Sequence, residues 1–154
     1  MRRKSKKRGP VQAKKISYDG INFASGLERY TYMALKKARL FEGYENEVFQ
    51  LIDGFSFKNQ SYEKQSNGKG DYINRGQKKI LGIKYTPDFV GKDFIIETKG
   101  RANDSFPMRW KLFKKHLMET GDNRLLYKPQ TNKECDRTVE LILRKQTWDY
   151  LKKE

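Results

Sequence analysis

Apolar and polar positions along the chain follow two rhythms. In ASGLERYTYMALKKARL, the positions Leu27, Thr31, Ala34, Leu35 and Ala38 recur at helical spacing, with Ser25 as N-cap and Gly43 beyond the end. A second helix is expected over residues 104–120, where Phe106, Trp110, Phe113 and Leu117 form one stripe that Gly121 ends. Thr131 and Glu134 make a capping-box pattern for a helix near 132–145, and a short last helix holds Trp148 and Leu151. Strand-like stretches lie between these helices. Residues 16–23 read as an extended piece turning at Asp19-Gly20, and 44–52 and 55–62 as strands joined at Asp53-Gly54. Residues 80–90 and 93–99 read as a tight hairpin turning at Gly91-Lys92, and 123–128 as a strand stopped by Pro129. Residues 63–79 are polar, Gly-rich and basic, and read as a mobile loop of a kind that can order on a partner. The order of elements describes a mixed α/β domain.

Composition narrows this picture. A chain of 154 residues has room for one core, and 13% aromatic residues is too many for a disordered polycation. The 34 Lys and Arg against 19 Asp and Glu give a formal charge of +15. Such a body asks for a polyanion, and nucleic acid comes first because each neutralised phosphate releases counterions. Residues 1–15 hold Arg2, Arg3, Lys4, Lys6, Lys7, Arg8, Lys14 and Lys15 and no acid, so +8 of the total sits in an N-terminal arm expected to be disordered. That arm either grips nucleic acid or serves as a solubility tail. No apolar face accompanies it, which disfavours a membrane surface, and no apolar run approaches the ~18 residues of a membrane span. The first residues lack the apolar stretch of a secretory signal, and a lone cysteine, Cys135, makes neither a disulfide framework nor a Cys-based zinc site. The expected location is therefore a reducing cytoplasm.

The hairpin carries the chemistry. With a turn at Gly91-Lys92, Val90 pairs with Asp93, Asp88 with Ile95 and Thr86 with Glu97. Asp88, Ile95, Glu97 and Lys99 then share one face, and the two carboxylates are diagonal neighbours about 7–8 Å apart. Paired carboxylates repel unless a cation lies between them. A hard divalent ion such as Mg²⁺ suits oxygen ligands and activates bound water. The plain alternative is a solvated sheet face with a surface ion pair.

Pro87-Asp88, eight intervening residues, then Glu97-Thr98-Lys99 resembles the PD-(D/E)XK nuclease signature. The longer stretch YTPDFVGKDFIIETKG resembles the site of phage junction-resolving endonucleases (endodeoxyribonuclease I type) and of a related, poorly characterised phage family. The resemblance spans about residues 16–120 in order of elements. It leaves out the arm, the 63–79 loop and the segment 129–154, a C-terminal helical extension of the 16–154 domain. It implies a restriction-endonuclease-like mixed central sheet flanked by helices. It further implies a metal, Mg²⁺ with Mn²⁺ as substitute, held by Asp88, Glu97 and the Thr98 backbone carbonyl. Glu28 on the preceding helix would assist as a possible further ligand, and Lys99 would stand at the nucleophilic water. For Glu28 a second reading stays open, since Ser25-x-x-Glu28 is itself a capping box.

Other positions carry both a functional and a plain reading. Arg101 could hold a phosphate or be an ordinary surface arginine. Arg109, Lys111, Lys114 and Lys115 form the polar side of their helix, facing DNA or solvent. Lys84 and Thr86 share the expected catalytic face and could meet the substrate backbone, and Gln50 could place a polar group near the metal. His116, Cys135, Trp110 and Phe113 read as packing or surface residues. The resulting expectation is a metal-dependent DNA endonuclease acting on branched or duplex DNA as a homodimer, of junction-resolving type. The alternatives are a general DNA-degrading or restriction-type nuclease, and a basic nucleic-acid-binding protein that keeps a nuclease-like fold without turnover.

Overall fold

The computed structural model describes residues 15–152. The basic residues Arg2, Arg3, Lys4, Lys6, Lys7, Arg8 and Lys14 lie outside the described residues. The elements run β1 (Ile16–Tyr18), β2 (Ile21–Phe23), α1 (Gly26–Lys37), β3 (Phe49–Ile52), β4 (Phe55–Phe57), β5 (Tyr62–Glu63), β6 (Ile73–Asn74), β7 (Lys78–Ile80), β8 (Ile83–Tyr85), β9 (Phe89–Val90), β10 (Phe94–Ile96), α2 (Phe106–Thr120), β11 (Leu125–Tyr127) and α3 (Asn132–Leu151). This is a mixed α/β chain, as the sequence pattern predicts. No helix among the described residues is long and apolar enough to cross a membrane.

The chain forms two compact units from interleaved segments. The first holds the described residues up to Asn46, then Asp88–Ala102, then the chain from Arg124 onward. Its sheet has the order β11-β10-β9, with β10 and β11 parallel and β9 antiparallel to β10. Phe23, Tyr32, Leu35, Leu40, Phe89, Phe94, Ile96 and Ile142 make its core, and Tyr44, Tyr127 and Val139 pack against them. Strands β1 and β2 pair as a hairpin whose turn uses Asp19 at φ 54° and Gly20 at φ 77°. Asp19 accepts hydrogen bonds from the Tyr32 hydroxyl and the Lys36 ammonium, which ties this turn to α1.

The segment beyond residue 129 belongs to this core. Helix α3 starts at the Thr131 cap, whose side chain accepts from the Glu134 N–H, and runs unbroken to Leu151. The expected separate last helix does not exist, because nothing between Leu143 and Trp148 stops the turn. Its Cys135 is buried, with the Thr31 hydroxyl 3.0 Å from Sγ, and Asp136 accepts from the Tyr30 hydroxyl. Cys135 is therefore a packing residue between two helices.

The second unit holds residues Glu47–Pro87 and Asn103–Asn123. Here the sequence expectation needs correction. Asp53-Gly54 does not close a hairpin: β3 pairs with β8, β4 with β7 and β5 with β6, nested as one long antiparallel ribbon. The segment read as a loop, 63–79, supplies β6 and part of β7 to that ribbon. The expected strand 80–90 is split into β8 and β9 around Pro87, which cannot donate to a ladder. Helix α2 covers the root of the ribbon, where Phe113 stacks on Tyr85 at 4.5 Å and meets Phe49 edge-on at 4.9 Å. Gly121 ends α2 in the left-handed region, φ 69°. His116 sits edge-on to Phe49.

Candidate active site

The site is built on the β9–β10 hairpin. The Gly91 N–H donates to the Phe94 carbonyl at 2.9 Å, so Gly91 faces Phe94 and the turn lies at Lys92-Asp93, one residue beyond the expected Gly91-Lys92. A side chain at Gly91 would meet the Phe94 ring at 2.5 Å, which is why a glycine stands there. The observed register is Val90 with Ile95 and Phe89 with Ile96, not Val90 with Asp93 as the sequence suggested. The slip is even, so every side chain keeps its face. Continued beyond the ladder, the same register sets Asp88 directly across from Glu97 instead of diagonal to it.

Both carboxyls are taken out of water. Asp88 is 9% exposed and Glu97 7%. Asp88 Oδ2 accepts from the Thr98 N–H at 2.6 Å and from the Thr98 hydroxyl. The Asp88 carbonyl accepts from the Glu45 N–H at 2.9 Å, which fixes the backbone there. Burial holds the Asp88 carboxyl far above the ordinary carboxylate range, and the charges of Glu97 and Glu28 push the same way, while the two bonds from Thr98 pull it down.

The strand after β10 stays in line with β11. The Glu97 N–H donates to the Tyr127 carbonyl and the Lys99 N–H to the Pro129 carbonyl, both at 3.0 Å. Glu97 and Lys99 therefore share one face, and Lys99 Nζ lies 3.8 Å from Glu97 Oε1. The Thr98 N–H points the other way, to Asp88. Arg101 follows, exposed.

Glu28 approaches from α1, and its oxygens are engaged. Oε1 accepts from the Ser25 hydroxyl at 2.8 Å; Oε2 accepts from the Ala24 N–H at 2.8 Å and from the Tyr44 hydroxyl at 2.6 Å. Ser25 in turn accepts from the Glu28 N–H, so the capping box is formed. Tyr44 was not legible as a site residue; burial and the bond to Glu28 hold its phenol protonated. Its sequence context, YENE, gives no signal of that contact.

Among the described residues, no group of three His, Cys, Asp or Glu is gathered tightly enough to hold a metal ion by those side chains alone. Asp88, Glu97, Thr98 and Lys99 are brought together. Glu28 contributes its field to Asp88 and its oxygens to the helix start.

The remaining candidates belong to the second unit. Lys84 is exposed on β8. Arg109 donates to the Lys84 carbonyl at 2.7 Å and lies over the Tyr85 ring. Lys114 lies over the Trp110 ring, Lys115 pairs with Glu119 at 3.4 Å, and Lys111 is exposed. Gln50 spends its amide on the Ile52 carbonyl at 2.6 Å, across the β-bulge between those residues.

Comparison with known proteins adds a family and no function. A search of curated proteins and a search of solved structures each found no match. Residues 8–130 match the family model described as a protein of unknown function (DUF1064), and the chain belongs to that family.

Proposed function

We propose that the chain is a metal-dependent endonuclease that hydrolyses DNA phosphodiester bonds, with a restriction-endonuclease-like sheet centred on β9, β10 and β11. One observation carries this reading: two buried carboxyls of one hairpin, Asp88 and Glu97, feel each other's charge, with Lys99 beside the second, in a chain of formal charge +15. Burying like charges together is costly without a cation between them.

The donor set fits a hard divalent ion. Asp88, Glu97 and the Thr98 carbonyl are all oxygen donors, and Mg²⁺ keeps several waters, so three protein oxygens suffice. The ion would lower the pKa of a bound water and offset charge growing on the phosphate. The protein's own groups do the rest. Thr98 holds the Asp88 carboxylate in place through two hydrogen bonds. Lys99 sets its ammonium beside Glu97, where it orients the attacking water or steadies a phosphate oxygen. Glu28 adds negative potential that favours a bound cation. In the hydrolysis, the water oxygen bonds to phosphorus, the opposite P–O bond breaks, and the leaving oxygen takes up a proton.

Four-way junctions are the leading substrate, cut by two copies of the chain acting on opposite strands. The test incubates four-way-junction, linear duplex and single-stranded DNA with Mg²⁺ or Mn²⁺, using wild type, Asp88→Ala and Lys99→Ala. The expected result is metal-dependent cutting lost in both variants. Cutting in EDTA, or cutting that survives both substitutions, overturns the proposal.

A further inference from the structure

The ribbon of the second unit runs past the helix that covers its root, and its β4–β7 segment keeps large apolar side chains in water. Phe55 is 51% exposed, Phe57 36% and Ile80 42%. The register pairs Phe55 with Ile80 and Phe57 with Lys78, so all four share one face. Towards the tip the pairing slips by one residue, from Phe57 with Lys78 to Tyr62 with Asn74. The slip falls at Gly76-Gln77, where Gln77 has φ 54° and a side chain at Gly76 would meet the Asn59 carbonyl at 2.1 Å. This bulge turns Arg75 onto the face of the two phenylalanines. The Arg75 guanidine donates to the Glu63 carbonyl at 3.2 Å, which holds it there. Together these side chains line an open groove of about 440 Å³.

We propose that this groove binds an unpaired DNA strand, with bases stacked on Phe55 and Phe57 and phosphates drawn to Arg75 and Lys78. Two features select that occupant. From Gly54 to Tyr85 the ribbon carries seven Lys and Arg against two acids, so it suits a polyanion. A second copy of the chain would bring the same cations face to face. The groove also offers ring faces, and a duplex hides its base faces while an unpaired strand exposes them. Glu63, at the groove's edge, supplies an acceptor for an exocyclic base amine. The inference rests on the nuclease reading only in taking the polymer as DNA; neither metal nor a cut enters it.

The experiment measures binding in EDTA by fluorescence anisotropy, with a labelled oligothymidylate and a labelled duplex. The double variant Phe55→Leu/Phe57→Leu keeps the apolar bulk and removes the rings. Its affinity for the oligothymidylate is expected to fall about tenfold or more, with duplex affinity changed less than about twofold. Circular dichroism confirms that the variant folds. Independently, a bromodeoxyuridine oligomer should photocrosslink to a peptide within residues 55–80 of the wild-type chain. Unchanged oligothymidylate affinity, an equal loss on both probes, or crosslinks confined to other peptides overturns the proposal. So does sedimentation showing a wild-type dimer that Phe57→Lys dissociates, since a second copy would then own the face. Because no cleavage is read, failure of the nuclease assay leaves these outcomes intact, and the reverse holds.

Discussion

Asp88 is where burial, charge and hydrogen bonding meet in one side chain. Its native carboxyl holds a proton at pH values where the unfolded chain has released it, because desolvation and the Glu97 charge raise its pKa. The native state then binds more protons than the unfolded one, so stability falls as pH climbs above the ordinary carboxylate value of about 4. Without metal, the melting temperature should drop between pH 5 and pH 8, and Asp88→Asn should flatten that drop. Added Mg²⁺ should raise the wild-type melting temperature most at the upper end of that range, because binding needs the ionised carboxylate. A wild-type profile that rises over the range would contradict this account. Thr98 opposes the shift with its N–H and hydroxyl. Thr98→Val removes the hydroxyl alone and lets the Asp88 pKa rise further, so the fall in stability should start at the same pH but extend to higher pH, and cleavage should weaken at neutral pH. Lys99→Ala should lower the cleavage rate by about a hundredfold or more, with Lys99→Gln no better, if its charge is what acts. These side chains were legible in sequence as a set. Their register was not, because the turn's position depends on how Phe94 packs over Gly91, a contact that residue types alone do not specify.

At the scale of elements, local signals were readable and distant pairings were not. Helices α1, α2 and α3 each combine an apolar stripe with a stop or start residue, Ser25, Gly121 and Thr131; α1 and α2 form where the pattern places them, and α3 starts at its predicted cap but runs on past residue 145 to Leu151. The ribbon could not be read this way. Phe55, Ser56 and Phe57 are all exposed, so no alternation of burial marks the strand, and its partner lies more than twenty residues away. Pro87 split a run of β-formers that looked continuous. The capping box of α1 has a consequence for the site, because one carboxylate serves both. Ser25→Ala should cost about 1 kcal/mol of stability, read as a lower denaturant midpoint. If Glu28 also supports metal binding through its field, the same variant should weaken Mg²⁺ binding measured by calorimetry, while Ala38→Ser at the other end of α1 should leave it unchanged. Equal Mg²⁺ affinity in both variants would confine Glu28 to the helix start.

At the scale of the whole molecule, the proposed function makes charge the main determinant of DNA binding. Of the formal +15, residues 1–15 carry +8 and the remaining chain +7. Binding to duplex DNA should therefore weaken steeply with salt, since log affinity falls by about 0.9 per phosphate neutralised for each unit of log salt. Removing residues 1–15 should make that slope markedly shallower and reduce affinity for every DNA shape by a similar factor, because phosphate contacts position a protein without choosing among sequences or junctions. The preference for a junction over a linear duplex should survive the truncation. That preference would have to come from groups that sense geometry, such as the carboxylate pair on its hairpin and the aromatic groove on the ribbon. If the truncated chain instead keeps the full slope and loses its preference for junctions, the N-terminal residues would be reading shape, and the division of labour between grip and selection would run the other way.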